Sequence, residues 1–334
     1  MIQLSETPVS QPFATPDASH AIRKQRQRKP YRVAAVARSI RKTGLATVVL
    51  QILTGCSGGV MDPRGPIAAA QREILLNSVA IMLCIIIPVI AATLLVAWWF
   101  RETNRQARYL PDWTYSGKVE LVVWGIPAMV IILLGGIAWI GSHELDPARP
   151  IPSAEQPLKV EVVALDWKWL FIYPDQGLAS VNRLVIPAGR PVSLRLTSAS
   201  VMNSFFVPQL AGQIYAMSGM TTSLHLLAEH QGQFKGLSSQ FSGDGFSGMR
   251  FNVDSVEPAE FDGWVSVVRA GGGLLDTASY QELAKPSQYV APMAFATVEA
   301  NLFESIVNTT TAAMQQDAFL DLCRGSGPIS NKRF

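Results

Sequence analysis

Chemistry in this sequence would have to come from a few scattered side chains. Met202, Met217, Met220 and Met249 supply thioethers, and His225 and His230 supply imidazoles. No spacing gives the methionines a common focus, so they read as core or interface filler rather than a soft-metal cluster. His225 alternates with Leu224 and Leu226 in an expected strand, and His230 follows in a polar turn; neither has a Cys or His partner at metal-ligand spacing. The three cysteines, Cys56, Cys84 and Cys323, are too few and too scattered for a disulfide framework or a CxxC-type zinc site. Glu120 stands where a charged loop meets an apolar run. An acid at membrane depth is costly unless it faces water or a partner, which makes Glu120 a functional candidate. The alternative is a solvated loop charge paired with Lys118 or Arg101. The chain has no G-x-x-x-x-G-K-[ST], G-x-S-x-G or H-E-x-x-H, so nucleotide-binding, serine-hydrolase and zinc-protease readings lack support.

The elements that would position these groups begin with a membrane. The chain is 49% hydrophobic and only 16% charged, well below the ~25% of an ordinary soluble domain. Residues 1–55 carry nine Lys/Arg against two acids, all nine within residues 23–42. The rest is slightly acidic, which argues against a nucleic-acid footprint. An apolar run at 45–53 follows and ends in Leu53-Thr54-Gly55-Cys56. A basic region, an apolar region and a small-residue site are the parts of a signal peptide. The ending resembles the bacterial lipobox, which implies lipid attachment at Cys56; an amphipathic start with a chance cysteine is the alternative. The basic region is longer than usual, so a start downstream of Met1 is among the readings; it would need a non-Met codon, because no second Met occurs before Met61.

Residues 74–100 are 27 consecutive uncharged residues and residues 121–143 are 23 more. As helices at ~1.5 Å per residue both are long enough for the ~30 Å hydrocarbon core. Pro88 is expected to kink the first. Trp98 and Trp99 close the first span, and Trp124 and Trp139 lie near the ends of the second, as interfacial anchors would. The loop between them holds Arg101, Arg105, Arg108 and Lys118 against Glu102, Asp112 and Glu120, and by the positive-inside tendency it is cytoplasmic. Everything beyond His143 then lies outside, as does Cys56.

After a Pro-rich connection the composition changes to short alternating runs. Val192, Leu194 and Leu196 alternate with Ser193, Arg195 and Thr197, and similar segments at 158–165, 183–186, 222–227 and 249–253 are separated by Gly/Pro/Ser turns. They predict a β-sandwich or barrel. Helical spacing returns at 258–270, 277–284 and 301–314, with Gly271-Gly272-Gly273 as a break. The expected organisation is a signal peptide at 1–55, a lipid-anchored start and transmembrane hairpin at 56–150, a β-domain at 156–255, a helical arm at 256–315 and a polar tail at 316–334.

Two spans and an external β-domain, followed by Gly236-Leu237-Ser238-Ser239-Gln240-Phe241-Ser242-Gly243-Asp244-Gly245-Phe246-Ser247-Gly248-Met249, resemble subunit II of the haem-copper respiratory oxidases. The resemblance covers residues 53 to about 310. It extends to Asp166-Trp167-Lys168-Trp169, Phe171-Ile172-Tyr173-Pro174, residues 202–208 and Gln213-Ile214-Tyr215-Ala216-Met217. In the cytochrome c oxidase branch the loop looks like G-x-C-x-E-x-C-x-x-x-H-x-x-M, and with an upstream His it holds a binuclear copper centre. Here Ser238 and Ser242 occupy the cysteine positions, Gln240 the glutamate, Phe246 the histidine and Asn203 the upstream histidine; only Met249 matches. Serine hydroxyls are hard, neutral donors, and one thioether cannot replace bridging thiolates and imidazoles.

The pattern is therefore similar to the quinol-oxidising branch, of the cytochrome bo type, whose subunit II lacks this copper and is often a lipoprotein. The resemblance implies a cupredoxin-like periplasmic sandwich on a transmembrane hairpin in the bacterial inner membrane, and a place in a proton-pumping ubiquinol oxidase that reduces oxygen to water. It implies subunits I, III and IV as partners, with haems and one copper in subunit I and no cofactor on this chain. It also implies that Glu120 lies at the mouth of a proton-uptake channel. Trp167 and Trp169, two apart on an expected strand, would share a face toward subunit I. A reading from another class is a membrane-anchored binding lipoprotein, which explains the lipobox and the sandwich but not the loop around Met249.

Overall fold

The computed structural model describes residues 59–108 and 110–325. Cys56 and the expected signal segment lie outside the described residues.

Two long helices come first, α1 at Pro66–Trp99 and α2 at Gly117–Glu144. Pro66 opens α1 in the first turn, where a missing N–H costs nothing. Both helices outrun the uncharged segments, because α1 takes in Arg72 and Glu73 and α2 takes in Lys118 and Glu120. Each passes through a proline, Pro88 in α1 and Pro127 in α2. At 34 residues, α1 is about 51 Å long, more than a bilayer core needs. Both are apolar and long enough to cross a membrane, and their large side chains are bare, with Leu94 65% and Ile132 75% exposed. The helices meet near the start of α1 and the end of α2, where a Cβ on Gly141 would stand 2.8 Å from Ile74 Cδ1. Glycine is what lets them approach there.

The chain then forms a sandwich. Its seven-stranded sheet runs β11-β12-β3-β2-β1-β5-β8 and its five-stranded sheet β4-β10-β9-β6-β7. The strands are β1 (Leu158–Leu165), β2 (Lys168–Tyr173), β3 (Leu178–Val181), β4 (Arg183–Pro187), β5 (Val192–Ser198), β6 (Asn203–Phe206), β7 (Gln213–Ala216), β8 (Thr222–Leu226), β9 (Gly232–Ser238), β10 (Arg250–Val256), β11 (Gly273–Leu275) and β12 (Met293–Val298). β1 pairs antiparallel with β2 and parallel with β5, setting Val163 opposite Leu170 and Val160 opposite Leu194. β10 runs parallel to β4 and antiparallel to β9. In β5 the alternation places Val192, Leu194 and Leu196 inside and Ser193 and Arg195 toward the surface, as a half-buried strand requires.

Between the sheets an aromatic cluster fills the core. Phe205 and Phe251 stack at 4.9 Å, and Trp169 meets Phe205 edge-on at 5.3 Å. Tyr173 ties β2 to β4, its hydroxyl donating to Val185 O at 3.0 Å and accepting from Val185 N at 2.8 Å. Burial pushes this phenol well above its ordinary value.

Every residue of β2 is buried, which one-sided alternation does not predict. The second face of its sheet is covered by the C-terminal arm. The arm comprises helices α3 (Pro258–Gly271), α4 (Thr277–Ala284) and α5 (Leu302–Gly325), together with β11 and β12. Leu302, Phe303 and Ile306 of α5 pack with Leu275 on Val163, Leu165, Leu170 and Ile172. The arm is thus not purely helical: β12 pairs with β3 and extends the sheet, and the triple glycine is where β11 begins. α5 also runs past residue 314 into the segment expected to be a polar tail.

Candidate functional site

The loop between β9 and β10 folds back on itself at one end of the sandwich. The amide of Ser238 donates to Met249 O at 3.1 Å, closing the loop at its base. A short 3-10 turn, Phe246–Gly248, brings Met249 back to the core, where it is 1% exposed. Asn203, at the start of β6, lies beside it and accepts from the Ser238 hydroxyl at 3.3 Å. The Ser242 hydroxyl points at Met249 Sδ at 3.9 Å, and Phe246 packs edge-on against exposed Phe241 at 5.6 Å. Gln240 is half-buried, and its carbonyl accepts from Ser238. Gly236 is the first glycine of this segment because the ring of Phe251 occupies the space beside it: a Cβ there would stand 2.0 Å from Phe251 Cζ.

The fold therefore brings Asn203 and Ser238 together, and Ser242 and Met249 together. Their donors are an amide, two hydroxyls and one thioether, and two of them already satisfy each other. A binuclear copper centre needs thiolates to bridge the ions and imidazoles to complete them. These residues do not fit that group. Among the described residues no cluster of three or more His, Cys, Asp or Glu forms elsewhere either. Met202 and Met220 are exposed while Met249 is buried, so the methionines share no site. His225 lies in β8, and burial lowers its imidazole below the ordinary value.

Trp167 and Trp169 do not share a face. Trp167 sits in the turn between β1 and β2 with φ of +63°, outside both strands, so the period of two does not apply across it. Trp169 is 0% exposed inside the aromatic cluster and offers nothing to a partner. Trp167 instead holds the loop: its indole N–H donates to Ser242 O at 2.9 Å, and a Cβ on Gly245 would stand 2.4 Å from its Cγ.

The arm closes over the same loop. A Cβ on Gly248 would collide with Tyr289 at 2.7 Å, and one on Gly245 with Gln288 at 2.8 Å. Two buried side chains of the sandwich fasten this part of the arm. Lys168 is fully buried, and its ammonium donates to Lys285 O at 2.7 Å and Ser287 Oγ at 2.5 Å. Burial pulls its pKa below the ordinary lysine value. Asn182 accepts from Trp169 N at 2.9 Å and donates to Val290 O at 2.8 Å. Arg195 of β5 pairs with Glu161 of β1 at 3.1 Å and with Glu304 of α5 at 2.7 Å. Sequence reading missed Lys168, because a lysine within an alternating run is expected to face water. The only available sign was its place between two tryptophans.

Glu120 is in the first turn of α2, exposed, with its amide donating to Ser116 O. A carboxylate there is favoured by the helix dipole. Among the described residues it forms no ion pair with Lys118 or Arg101.

Residues 173–256 match the family model described as cytochrome c oxidase subunit II, periplasmic domain, and residues 269–312 match the COX aromatic rich motif. The cytochrome bo(3) ubiquinol oxidase subunit 2 of Pseudomonas putida is 46% identical over 257 residues, covering 77% of this chain and 82% of that protein. Its namesake in Pseudomonas aeruginosa is 46% identical over 256 residues, covering 77% of each. The ubiquinol oxidase subunit 2 of Acetobacter aceti is 45% identical over 284 residues, covering 84% of this chain and 92% of its own length.

Proposed function

The chain belongs to the family of subunit II of the quinol oxidases, and from that premise we propose that it serves a proton-pumping ubiquinol oxidase without carrying a redox centre of its own. Its place in the respiratory chain, within an oxidoreductase complex, follows from the family. Ubiquinol as the electron donor is supported by the names of the relatives. The observation that carries the redox-silent role is the donor set of the loop: Asn203, Ser238, Gln240, Ser242, Phe246 and Met249 offer no thiolate and no imidazole. Electrons from a soluble cytochrome c would find no acceptor here.

Oxygen reduction then belongs to subunit I, with the haems and one copper there, and subunits III and IV complete the complex. This chain would contribute a scaffold. The two apolar helices fit an inner-membrane protein, and their bare sides need lipid or another subunit against them. With Trp169 buried, the apolar side chains around the loop that are free to meet subunit I include Val201 at 52%, Met202 at 41% and Phe241 at 72% exposure. The exposed carboxylate of Glu120, at the head of α2 and unpaired among the described residues, suits delivery of protons to subunit I. Cys56 is the proposed lipid attachment point, which would set the start of the chain and the β-domain on the periplasmic side.

Gentle solubilisation and isolation through this chain tests the reading. Haem should come with it, together with oxygen consumption driven by ubiquinol and none driven by reduced cytochrome c. A chain isolated alone and free of haem would overturn it and favour the binding lipoprotein.

A further inference from the structure

The cytoplasmic end of the hairpin carries a groove that none of the proposed roles uses. Its volume is about 990 Å3, and its lining includes Trp99, Phe100, Arg101, Arg108, Leu110 and Trp113. The loop that forms it is ordered by its own hydrogen bonds. Asn104 donates through its side chain to Trp99 O at 2.6 Å and through its backbone to Arg101 O at 2.9 Å, and its side-chain oxygen accepts from Gln106 N at 3.1 Å. These bonds fold the chain back over the last turn of α1, so the groove continues the apolar surface of that helix.

Charge also lines the groove. Arg101 stacks over Trp98 with its guanidinium carbon 5.1 Å from the ring centre, and only its Nε is engaged, by Thr103 Oγ1. Arg108 is exposed. Glu102 also lines the groove, but among the described residues neither arginine, nor Arg105 or Lys118, has it, Asp112 or Glu120 at ion-pair distance. Unpaired guanidinium groups beside an aromatic-lined apolar channel match a phosphate attached to acyl chains, since the planar fork donates to phosphate oxygens in pairs. Tryptophans at the same depth anchor at the headgroup level.

We propose that this groove is a binding site for an anionic phospholipid, with Arg101 and Arg108 on the phosphate and the acyl chain lying along Val96, Trp99 and Phe100. The topology proposed above assigns the lipid to the cytoplasmic leaflet, but the binding chemistry does not depend on it. Each juxtamembrane arginine near an anionic surface contributes enough that losing two weakens binding by about thirtyfold at low salt.

The test uses the complex isolated through this chain and reconstituted symmetrically with a trace of photoactivatable phosphatidylglycerol or photoactivatable phosphatidylcholine. Adducts on residues 96–113 are then counted by mass spectrometry. In the wild type, phosphatidylglycerol should label this segment in clear preference to phosphatidylcholine, and the preference should fall as salt rises. The double variant Arg101→Gln/Arg108→Gln should lose it by about thirtyfold, Arg101→Lys/Arg108→Lys should largely keep it, and Lys159→Gln on the β-domain should leave it unchanged. Equal labelling by the two lipids, indifference to both arginines, or an unlabelled segment covered by protein would overturn the proposal. If the double variant fails to assemble, the wild-type preference and its salt dependence decide alone. Because the vesicles are symmetric, a wrong topology would leave the labelling intact, and an absent oxidase activity would not alter it.

Discussion

Gly236→Ala tests whether the loop is held by the core beneath it. The new methyl would arrive 2.0 Å from Phe251 Cζ, 2.1 Å from Cε2 and 2.5 Å from Cε1, so the ring must move bodily. It cannot move freely, because it stacks on Phe205 at 4.9 Å and lies 5.3 Å from Phe171 and 5.7 Å from Trp169. Overpacking of this kind costs about 1–3 kcal/mol, and with three ring contacts disturbed we expect about 3. For a domain of this size that lowers the melting temperature by about 6–12 °C. Phe251→Ala alone should cost about 3–5 kcal/mol through the cavity it leaves. The double variant separates clash from backbone strain: the alanine methyl then enters the vacated space, and the total should fall at least 1 kcal/mol below the sum of the singles. Thermal unfolding of the four full-length chains in one detergent provides the assay. Additive costs, or a Gly236→Ala chain as stable as wild type, would refute the packing argument.

Substitutions at four further positions test the same geometry. Tyr173→Phe strands the buried N–H and C=O of Val185 and should cost about 2–5 kcal/mol by chemical denaturation, with the complex still assembling. Lys168→Met should expose residues 285–290 to protease while the hairpin stays protected. The folded pKa of Lys168 lies below its unfolded value of 10.5, so between the two the unfolded chain binds more protons and wild-type stability gains with rising pH; Lys168→Met should lose that share of the slope. Phe241→Asp should reduce co-isolation of the haem partner without lowering the melting temperature of this chain. Glu120→Gln should slow ubiquinol-driven turnover and Glu120→Asp should preserve it, with haem content unchanged in both; equal turnover in all three would remove Glu120 from the proton path.

The legible parts of the fold were those in which one physical requirement dominates. Uninterrupted uncharged runs of 27 and 23 residues announce helices in a bilayer, and Val192, Leu194 and Leu196 announce a strand with one wet face. Trp167 and Trp169 misled because a period of two presumes an unbroken strand, and a left-handed residue at Trp167 separates β1 from β2. β2 buries both faces, so neither its alternation nor the charge of Lys168 reveals that the arm covers it. β11 has only three residues and is a strand through its pairing with β12, which in turn needs β3 as a partner. At the loop, the missing ligands were readable from residue types alone. The cap formed by Gln288 and Tyr289 was not, since it depends on contacts about forty residues away in sequence.

Copper bound by the purified full-length chain, counted by mass spectrometry after loading under reducing conditions and dialysis, tests the redox-silent role most directly. The wild type should retain essentially no copper and show no thiolate-to-copper absorption. The variant Asn203→His/Ser238→Cys/Gln240→Glu/Ser242→Cys/Phe246→His, on the same backbone with Met249 in place, should retain about two ions per chain, the number a binuclear centre holds. Tight stoichiometric copper in the wild type would contradict the account, because electrons could then be received on this chain.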